Sequence, residues 1–321
     1  MKLGGKVVLG VDIGHAAIKV AGVKRGARPS FVGCKAIEID SQAVKKDGFE
    51  NIGMIADKLM QAVHEAAPRA IHTGLASVVL PEAIIFRKII DLPAEVAQEE
   101  LSGVVRLQAA EYLPAPLEDM ELDYRLVGFS ADKTTQQVMV VAAGKKIIND
   151  YCAVFNKAKL ELIAIDTKPA AIGRAGIKPD AEEMVIMVDI GSEVSTISAH
   201  HGGVVQVTST LNQAANSLLD PATGQIDEEK GASLTKRLAQ GLSDEIEHVI
   251  KFYTNRSLSA VGGSGMSIRI AGGGSLVAGI DQIISQELAL PVQFAEPIIT
   301  VPAFCDRRFL GAIGTALFPE S

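Results

Sequence analysis

Val8-Leu9-Gly10-Val11-Asp12-Ile13-Gly14 near the start of the chain returns in its second half as Val185-Ile186-Met187-Val188-Asp189-Ile190-Gly191. Each copy is an apolar run closed by Asp-Ile-Gly, and each opens a trio of short strand-like segments. In the first half these are residues 7–12, 18–23 and 31–38, and in the second 184–189, 195–199 and 204–210. A single apolar-Asp-Ile-Gly turn carries little information. Two copies heading the same three-strand pattern predict an internally duplicated α/β fold, with apolar strands covered on both faces.

A tight turn with glycine at its tip lets backbone N–H groups approach phosphate oxygens with no Cβ in the way. Asp12 and Asp189 end the first strand of each trio, at the rim of such turns. A carboxylate there repels phosphate directly, so its natural partner is Mg²⁺ or the metal's hydration shell. Alone, each Asp is equally well read as a turn-stabilising acceptor; as a pair they read as a clamp on polyphosphate. Gly14 and His15 at the first tip, and Gly191 and Ser192 at the second, are the corresponding ligand-facing candidates. Lys19 stands in the otherwise apolar strand Ala16-Ala17-Ile18-Lys19-Val20, where burial of an ammonium requires an anion; the alternative is a solvated hairpin face.

A third element follows the second trio. Ile268-Arg269-Ile270-Ala271 runs into Gly272-Gly273-Gly274-Ser275 and then a helical pattern over 276–288. Three glycines leave a flat backbone surface for a planar base, and Ser275 is expected to cap the helix beside the nucleotide. Glu229, within Glu228-Glu229-Lys230, is a candidate for the ribose or adenine, with a solvated helix start as the alternative.

Between these motifs the chain alternates. Helical spacing is expected over 52–66, 94–113, 145–158, 212–219, 228–239, 243–255 and 307–316. Further strands are expected over 71–80, 83–90, 122–129, 136–143, 162–166, 267–271 and 291–294, and a Ser/Gly-rich loop over 257–265. The 321 residues suffice for two cores, and at 48% hydrophobic and 21% charged the chain is globular. A net charge of −7 argues against general nucleic-acid binding. Cys34, Cys152 and Cys305 lack metal-ligand spacing and read as free thiols of a reducing compartment. The amino-terminal residues contain no signal-peptide core, and no 18-residue apolar window suggests a membrane span, so a cytoplasmic protein is expected.

Hairpin, hairpin and glycine run, in that order, resemble the phosphate 1, phosphate 2 and adenosine motifs of the actin-like ATPase superfamily. Within it the chain is most similar to the PilM family, the cytoplasmic actin-like protein of type IV pilus assembly. The resemblance also rests on Leu92-Pro93, Ala110-Glu111-Tyr112-Leu113-Pro114, Leu122-Asp123-Tyr124, residues 138–143 and Leu162-Ile163-Ala164-Ile165-Asp166, so it covers nearly the whole chain. It implies an α/β actin-like fold of duplicated ribonuclease H-like domains, the first made of residues 1–75 and 146–182 and the second of 183–321. An FtsA/PilM-type subdomain is expected at 76–145. It further implies ATP or ADP with Mg²⁺ as cofactors, and as partner the N-terminal cytoplasmic peptide of a PilN-like membrane protein. With these go an indirect link to the pilus motor ATPases, self-association into a ring, and a peripheral place at the inner membrane through the partner.

Three positions depart from the family pattern: His15 after the first Asp-Ile-Gly, Asn212-Gln213 where a Gly-Gly pair is usual, and Thr167-Lys168 where an acidic residue commonly follows Asp166. Lys168 replaces a group that would orient attacking water, so slow or absent hydrolysis is expected. Rival expectations are a filament-forming actin homologue of the FtsA, MreB or plasmid-segregation type, a small-molecule kinase of the same superfamily, and a nucleotide-free interaction protein like the cytoplasmic part of GspL.

Overall fold

The computed structural model describes residues 4–45, 47–130, 132–218, 231–256 and 265–319. Glu228, Glu229 and Lys230, and the expected loop 257–265 except Gly265, lie outside the described residues.

The first half runs β1 (Val7–Ile13), β2 (Ala17–Lys24), β3 (Ser30–Glu38), the short pair β4 (Val44–Lys45) and β5 (Gly48–Phe49), and α1 (Ile52–His64). Then come β6 (Leu75–Leu80), β7 (Phe86–Pro93), α2 (Gln98–Ala109), β8 (Met120–Phe129), β9 (Thr135–Gly144), α3 (Lys145–Lys157), β10 (Glu161–Thr167) and α4 (Lys168–Gly176). The second half has β11 (Met184–Ile190), β12 (Ser195–His201), β13 (Val204–Leu211), α5 (Gly231–Arg256), β14 (Met266–Ala271), α6 (Ile280–Leu288), β15 (Val292–Phe294) and α7 (Leu310–Ala316).

The repeat in the sequence is a repeat in topology. One sheet has the order β10-β6-β1-β2-β3 and another β15-β14-β11-β12-β13. In each, an antiparallel meander is extended on its first strand by parallel strands, β6 and β10 in one case, β14 and β15 in the other. β1 and β11 are central and buried almost throughout, which accounts for their unbroken apolar runs.

Helices cover these sheets on both faces. α1 and α3 bury Ile55, Leu59, Tyr151 and Phe155 against Leu9, Val11 and Val78 of the first sheet. α5 and α6 bury Leu242, Ile246 and Ile284 against Ile186, Val188 and Ile270 of the second. Between the sheets lie α4 and α7, which pack on each other. α7 lies on β1, β2 and β6, while α4 reaches β11, β12 and β13. The helix that ends the second half thus covers the first sheet, and the one that ends the first half touches the second. Close approach demands glycine: a Cβ on Gly10 would lie 1.8 Å from the Ala312 carbonyl oxygen, and one on Gly314 would lie 1.8 Å from that of Ala171. Arg25 donates from Nη1 to the carbonyls of Ala316 (2.9 Å) and Phe318 (2.6 Å), fixing the end of α7 to the β2–β3 turn.

A third, antiparallel sheet, β7-β9-β8, is backed by α2 through Leu101, Val105 and Ala109 on Ile90, Leu92, Val138 and Val140. It joins the second half through a buried knot. Glu82 receives Arg87 Nε at 2.9 Å and Thr208 Oγ1 of β13 at 2.7 Å, and Arg87 also donates to Thr167 Oγ1 at 3.0 Å.

Several expectations shift. A boundary at residue 76 would cut through β6, whose pairing with β1 and β10 keeps it in the first sheet. The segment 168–176, given no element, is α4. The two helices expected over 228–239 and 243–255 are one, α5: Gly241 is no break, because its missing Cβ makes room for the Gln213 side chain. The expected helix 212–219 is a 3₁₀ turn over Ala215–Leu218. No described helix is long and apolar enough to cross a membrane.

Candidate functional site

The turns β1–β2 and β11–β12 open on one cleft of about 670 Å³, lined among others by Asp12, Gly14, His15, Lys19, Lys168, Asp189, Ser192, Gly273 and Arg308. Hairpin register sets the first contacts. Antiparallel pairing puts Lys19 directly opposite Asp12, and the matching register of the second hairpin puts Thr196 opposite Asp189. Lys19 Nζ stands 3.5 Å from Asp12 Oδ2 with its side chain largely buried, so the solvated-face alternative for this lysine fails. At the tips His15 Nε2 meets Glu193 Oε2 at 3.6 Å, linking the two hairpins at their exposed ends.

The centre of the cleft belongs to Lys168. It is the first residue of α4, at the carboxyl end of β10, where ligands of parallel sheets gather. Its Nζ lies 2.8 Å from Asp189 Oδ2 and 3.4 Å from Asp12 Oδ2, so one ammonium bridges the signature carboxylates of both halves. Burial opposes the charge on Lys168, but attraction to Asp12 and then Asp189 overcomes it and holds its pKa above the usual lysine range. Burial likewise pushes Asp12 up, and Lys168 followed by Lys19 more than reverses this, leaving its carboxyl below the usual range. Tyr151, also facing the cleft, is pushed up by burial and by the charge of Asp12, and stays a neutral phenol.

The glycine run divides its labour. Gly272 has φ +83°, and a Cβ there would lie 2.3 Å from Asp189 Oδ1 and 2.5 Å from the Ile190 carbonyl oxygen. Gly274 would meet the Ile190 side chain at 2.2 Å. These two therefore serve close packing against the second hairpin. Gly273 has nothing within 4 Å of its Cβ position and is the member of the run that lines the cleft. Ser275 is not a helix cap. Residues Gly273–Leu276 form a 3₁₀ turn, α6 starts only at Ile280, and the buried Ser275 Oγ donates to the Gly272 carbonyl (2.6 Å) while accepting from Arg307 Nε (2.8 Å). Arg307 in turn stacks 3.8 Å above the Phe294 ring. Gly191 serves its turn, since a Cβ would lie 2.4 Å from the Val194 carbonyl oxygen. Glu229 lies outside the described residues.

The structure thus brings together Asp12, Gly14, His15, Lys19, Asp189, Ser192 and Gly273, and sets Gly191, Gly272, Gly274 and Ser275 behind them as supports. Sequence reasoning missed Arg308 and Tyr151, and noted Lys168 as the replacement of an acidic residue, not as a bridge between the two carboxylates. The signal for Lys168 was its position just past a parallel strand.

The expected Mg²⁺ ligands, Asp12 and Asp189, face an ammonium here, and Asp12 Oδ2 and Asp189 Oδ1 are buried with no hydrogen-bond partner. Asp12 and Asp189 already share an ammonium, and Lys19 adds a second positive charge beside Asp12. A divalent ion placed about 4 Å from Lys168 Nζ would feel a gross repulsion of about 8 kcal/mol at an effective dielectric of about 20, set against an attraction of about the same size to each carboxylate at that distance. Among the described residues no group of three or more His, Cys, Asp or Glu side chains could hold a metal ion. In this structure the cation between Asp12 and Asp189 is the Lys168 ammonium.

Comparison with known proteins adds to this geometry. Residues 10–210 match the family described as type IV pilus assembly protein PilM. Among solved structures, the PilM–PilN type IV pilus biogenesis complex is similar over 97% of each chain, with TM-score 0.74 at 20% identity. The ethanolamine utilization protein EutJ from Carboxydothermus hydrogenoformans is similar over 97% of this chain and 89% of that one, with TM-score 0.60 at 14% identity. MreB 5 of Spiroplasma citri bound to AMPPNP is similar over 97% and 95%, with TM-score 0.50 at 12% identity. At such identities these likenesses speak for the fold, which is the actin-like ATPase fold. The match over residues 10–210, well over half of the chain, shows that the chain belongs to the PilM family of type IV pilus assembly proteins.

Proposed function

We propose that the protein is a cytoplasmic, actin-like scaffold of a type IV pilus or related secretion platform. It binds ATP or ADP in the cleft between the two hairpins, and binds the N-terminal cytoplasmic peptide of a PilN-like inner-membrane protein. The observation that carries the nucleotide reading is the meeting of both signature hairpins on one ammonium, with Gly273 open beside them. Lys168 and Lys19 each carry three N–H donors, and their contacts to Asp12 Oδ2, at 3.4 and 3.5 Å, are ion pairs that leave donors for phosphate. A solved protein of the same fold holds AMPPNP, which supports the ligand class.

The partner reading is supported by family membership and by the likeness to the PilM–PilN complex. Leu126 and Phe129 on β8 are exposed, as are Leu107 of α2 and Tyr112 just past it, so the inserted segment has apolar surface for contacts. We take residues 1–80 with 146–182, 81–145 and 183–321 as three bodies, the expected boundary at 75/76 being moved past β6. Attachment to the membrane would be peripheral, through the partner. Ring formation and an indirect link to the motor ATPases belong to the same reading.

Hydrolysis is slow or absent in this proposal. An attacking water needs a free base of suitable pKa. The buried carboxylates of the cleft are engaged: Asp12 and Asp189 by Lys168, Glu82 by Arg87. Titration of a synthetic PilN-like N-terminal peptide into the full chain, with and without ATP, tests the scaffold. Saturable 1:1 binding is expected, and its absence under both conditions overturns the partner reading. ATP turnover comparable with a dedicated ATPase would sink the hydrolysis statement.

A further inference from the structure

We propose that Lys168 is the resident cation of the cleft, standing where a divalent metal would, so that the site takes the polyphosphate of a nucleotide as its metal-free anion. The nucleotide half of this statement rests on the reading above; the resident-cation half stands on the geometry alone.

The first ground is position. A lysine in the first turn of a helix opposes the helix dipole, and α4 has no acidic residue there to offset it. Local helix stability therefore does not account for Lys168; the two carboxylates do. The second ground is reach. Asp12 and Asp189 belong to different sheets, and in each the oxygen nearest a cation is the one facing Lys168 Nζ. A bound metal joins two hairpins in this way, and the ammonium performs the same service through a covalently attached group that no chelator removes.

The third ground is charge. Asp12 and Asp189 are balanced by Lys19 and Lys168, so the centre is neutral before any ligand arrives. An added Mg²⁺ would have to displace Lys168 from both carboxylates and leave it as a buried neighbour of like charge. An added polyphosphate meets ammonium N–H groups that are not yet spent; Arg308 on the rim of the same cleft is already paired with Asp306 through Nε and Nη2. Glu38 and Glu193 are exposed on that rim, and Glu193 is turned toward His15.

The test uses the full chain and four arms. Thermal unfolding of the wild type, Lys168→Arg and Lys168→Gln is followed in EDTA and in excess Mg²⁺ at matched ionic strength, without nucleotide. The wild type and Lys168→Arg are expected to give the same Tm in both media. Lys168→Gln, with Asp189 left without its cation and Asp12 facing Lys19 alone, is expected to melt lower in EDTA and to rise by a few degrees with Mg²⁺. ATP is then titrated by calorimetry in both media. The wild-type Kd is expected to agree within about threefold, whereas that of Lys168→Gln should be about tenfold weaker in EDTA and recover with Mg²⁺. A wild-type Tm raised by Mg²⁺, a wild-type ATP affinity that collapses in EDTA, or a folded Lys168→Gln indifferent to Mg²⁺ overturns the proposal. Should Lys168→Gln not fold in either medium, the wild-type arms still decide. Absence of wild-type ATP binding in both media overturns the nucleotide reading, while the melting arms judge the resident cation separately.

Discussion

Replacing Gly10 by alanine tests the seam between the halves. Gly10 sits mid-way along β1 under α7, and its φ is not positive, so alanine meets no backbone strain there. What it meets is the helix. A Cβ would lie 1.8 Å from the Ala312 carbonyl oxygen, 2.8 Å from its carbon and 2.9 Å from the Ala316 nitrogen. A carbon–oxygen contact settles at about 3.3 Å or more, so α7 would have to retreat by about 1.5 Å. Every residue of α7 is buried, and the helix is held by Arg25 and by its own glycine contact on Ala171. Overpacking of this kind costs about 3 kcal/mol when the obstacle is backbone and not a side-chain tip, less about 0.4–1 kcal/mol gained through the unfolded chain. The net expectation is a loss of about 2–3 kcal/mol. Gly103→Ala is the control: it lies exposed within α2 with nothing within 4 Å of its Cβ position, and should gain about 0.5–1 kcal/mol. Urea unfolding followed by circular dichroism, both variants against wild type, reads the difference. A Gly10→Ala protein within about 0.5 kcal/mol of wild type would refute the packing argument.

Three further outcomes are expected. Glu82→Gln leaves Arg87 buried without its carboxylate and should cost about 3–5 kcal/mol in the same assay, with much of the loss recovered when Arg87→Met is added. His200, buried beside Ser198, is pushed down to about 3 by burial, with the charge of Arg87 adding to the effect. It stays neutral in the folded protein while the unfolded chain takes up a proton below pH 6.5, so stability falls as pH drops from 6.5 toward about 3. That slope is at most about 1.4 kcal/mol per pH unit, and His200→Gln should remove it between about pH 6 and pH 5. Gly272→Ala should lose about 1–3 kcal/mol through its φ of +83° and the Asp189 contact, whereas Gly273→Ala should melt close to wild type, as thermal scans of the pair will show.

The fold was legible wherever local pattern and tertiary role agree. β1 and β11 are apolar throughout because they are central, so the duplicated Asp-Ile-Gly signature could be read straight from the letters. Misreadings cluster at glycines kept for packing. In α4, Lys168–Gly176, Gly173 lets the His200 ring approach and Gly176 faces Met187, yet both look like helix breakers in isolation. Gly241, in the gap between the helices expected over 228–239 and 243–255, is likewise kept for packing, against Gln213. The cleft was legible as a pair of carboxylates and a glycine run. Its electrostatic centre was not, because Lys168 meets Asp12 and Asp189 only through the folding of three segments far apart in sequence.

The crossing of α7 onto β1 sets a timetable for synthesis. The helix that covers the inner face of β1 leaves the ribosome about 300 residues after it. At about 5–20 residues per second that interval is about 15–60 s. Throughout it the apolar face formed by Val8, Ala21 and Val23 lacks its cover. The nascent chain must therefore hold an open sheet, and its cellular yield should depend on whatever shields that face until Leu310–Ala316 arrives.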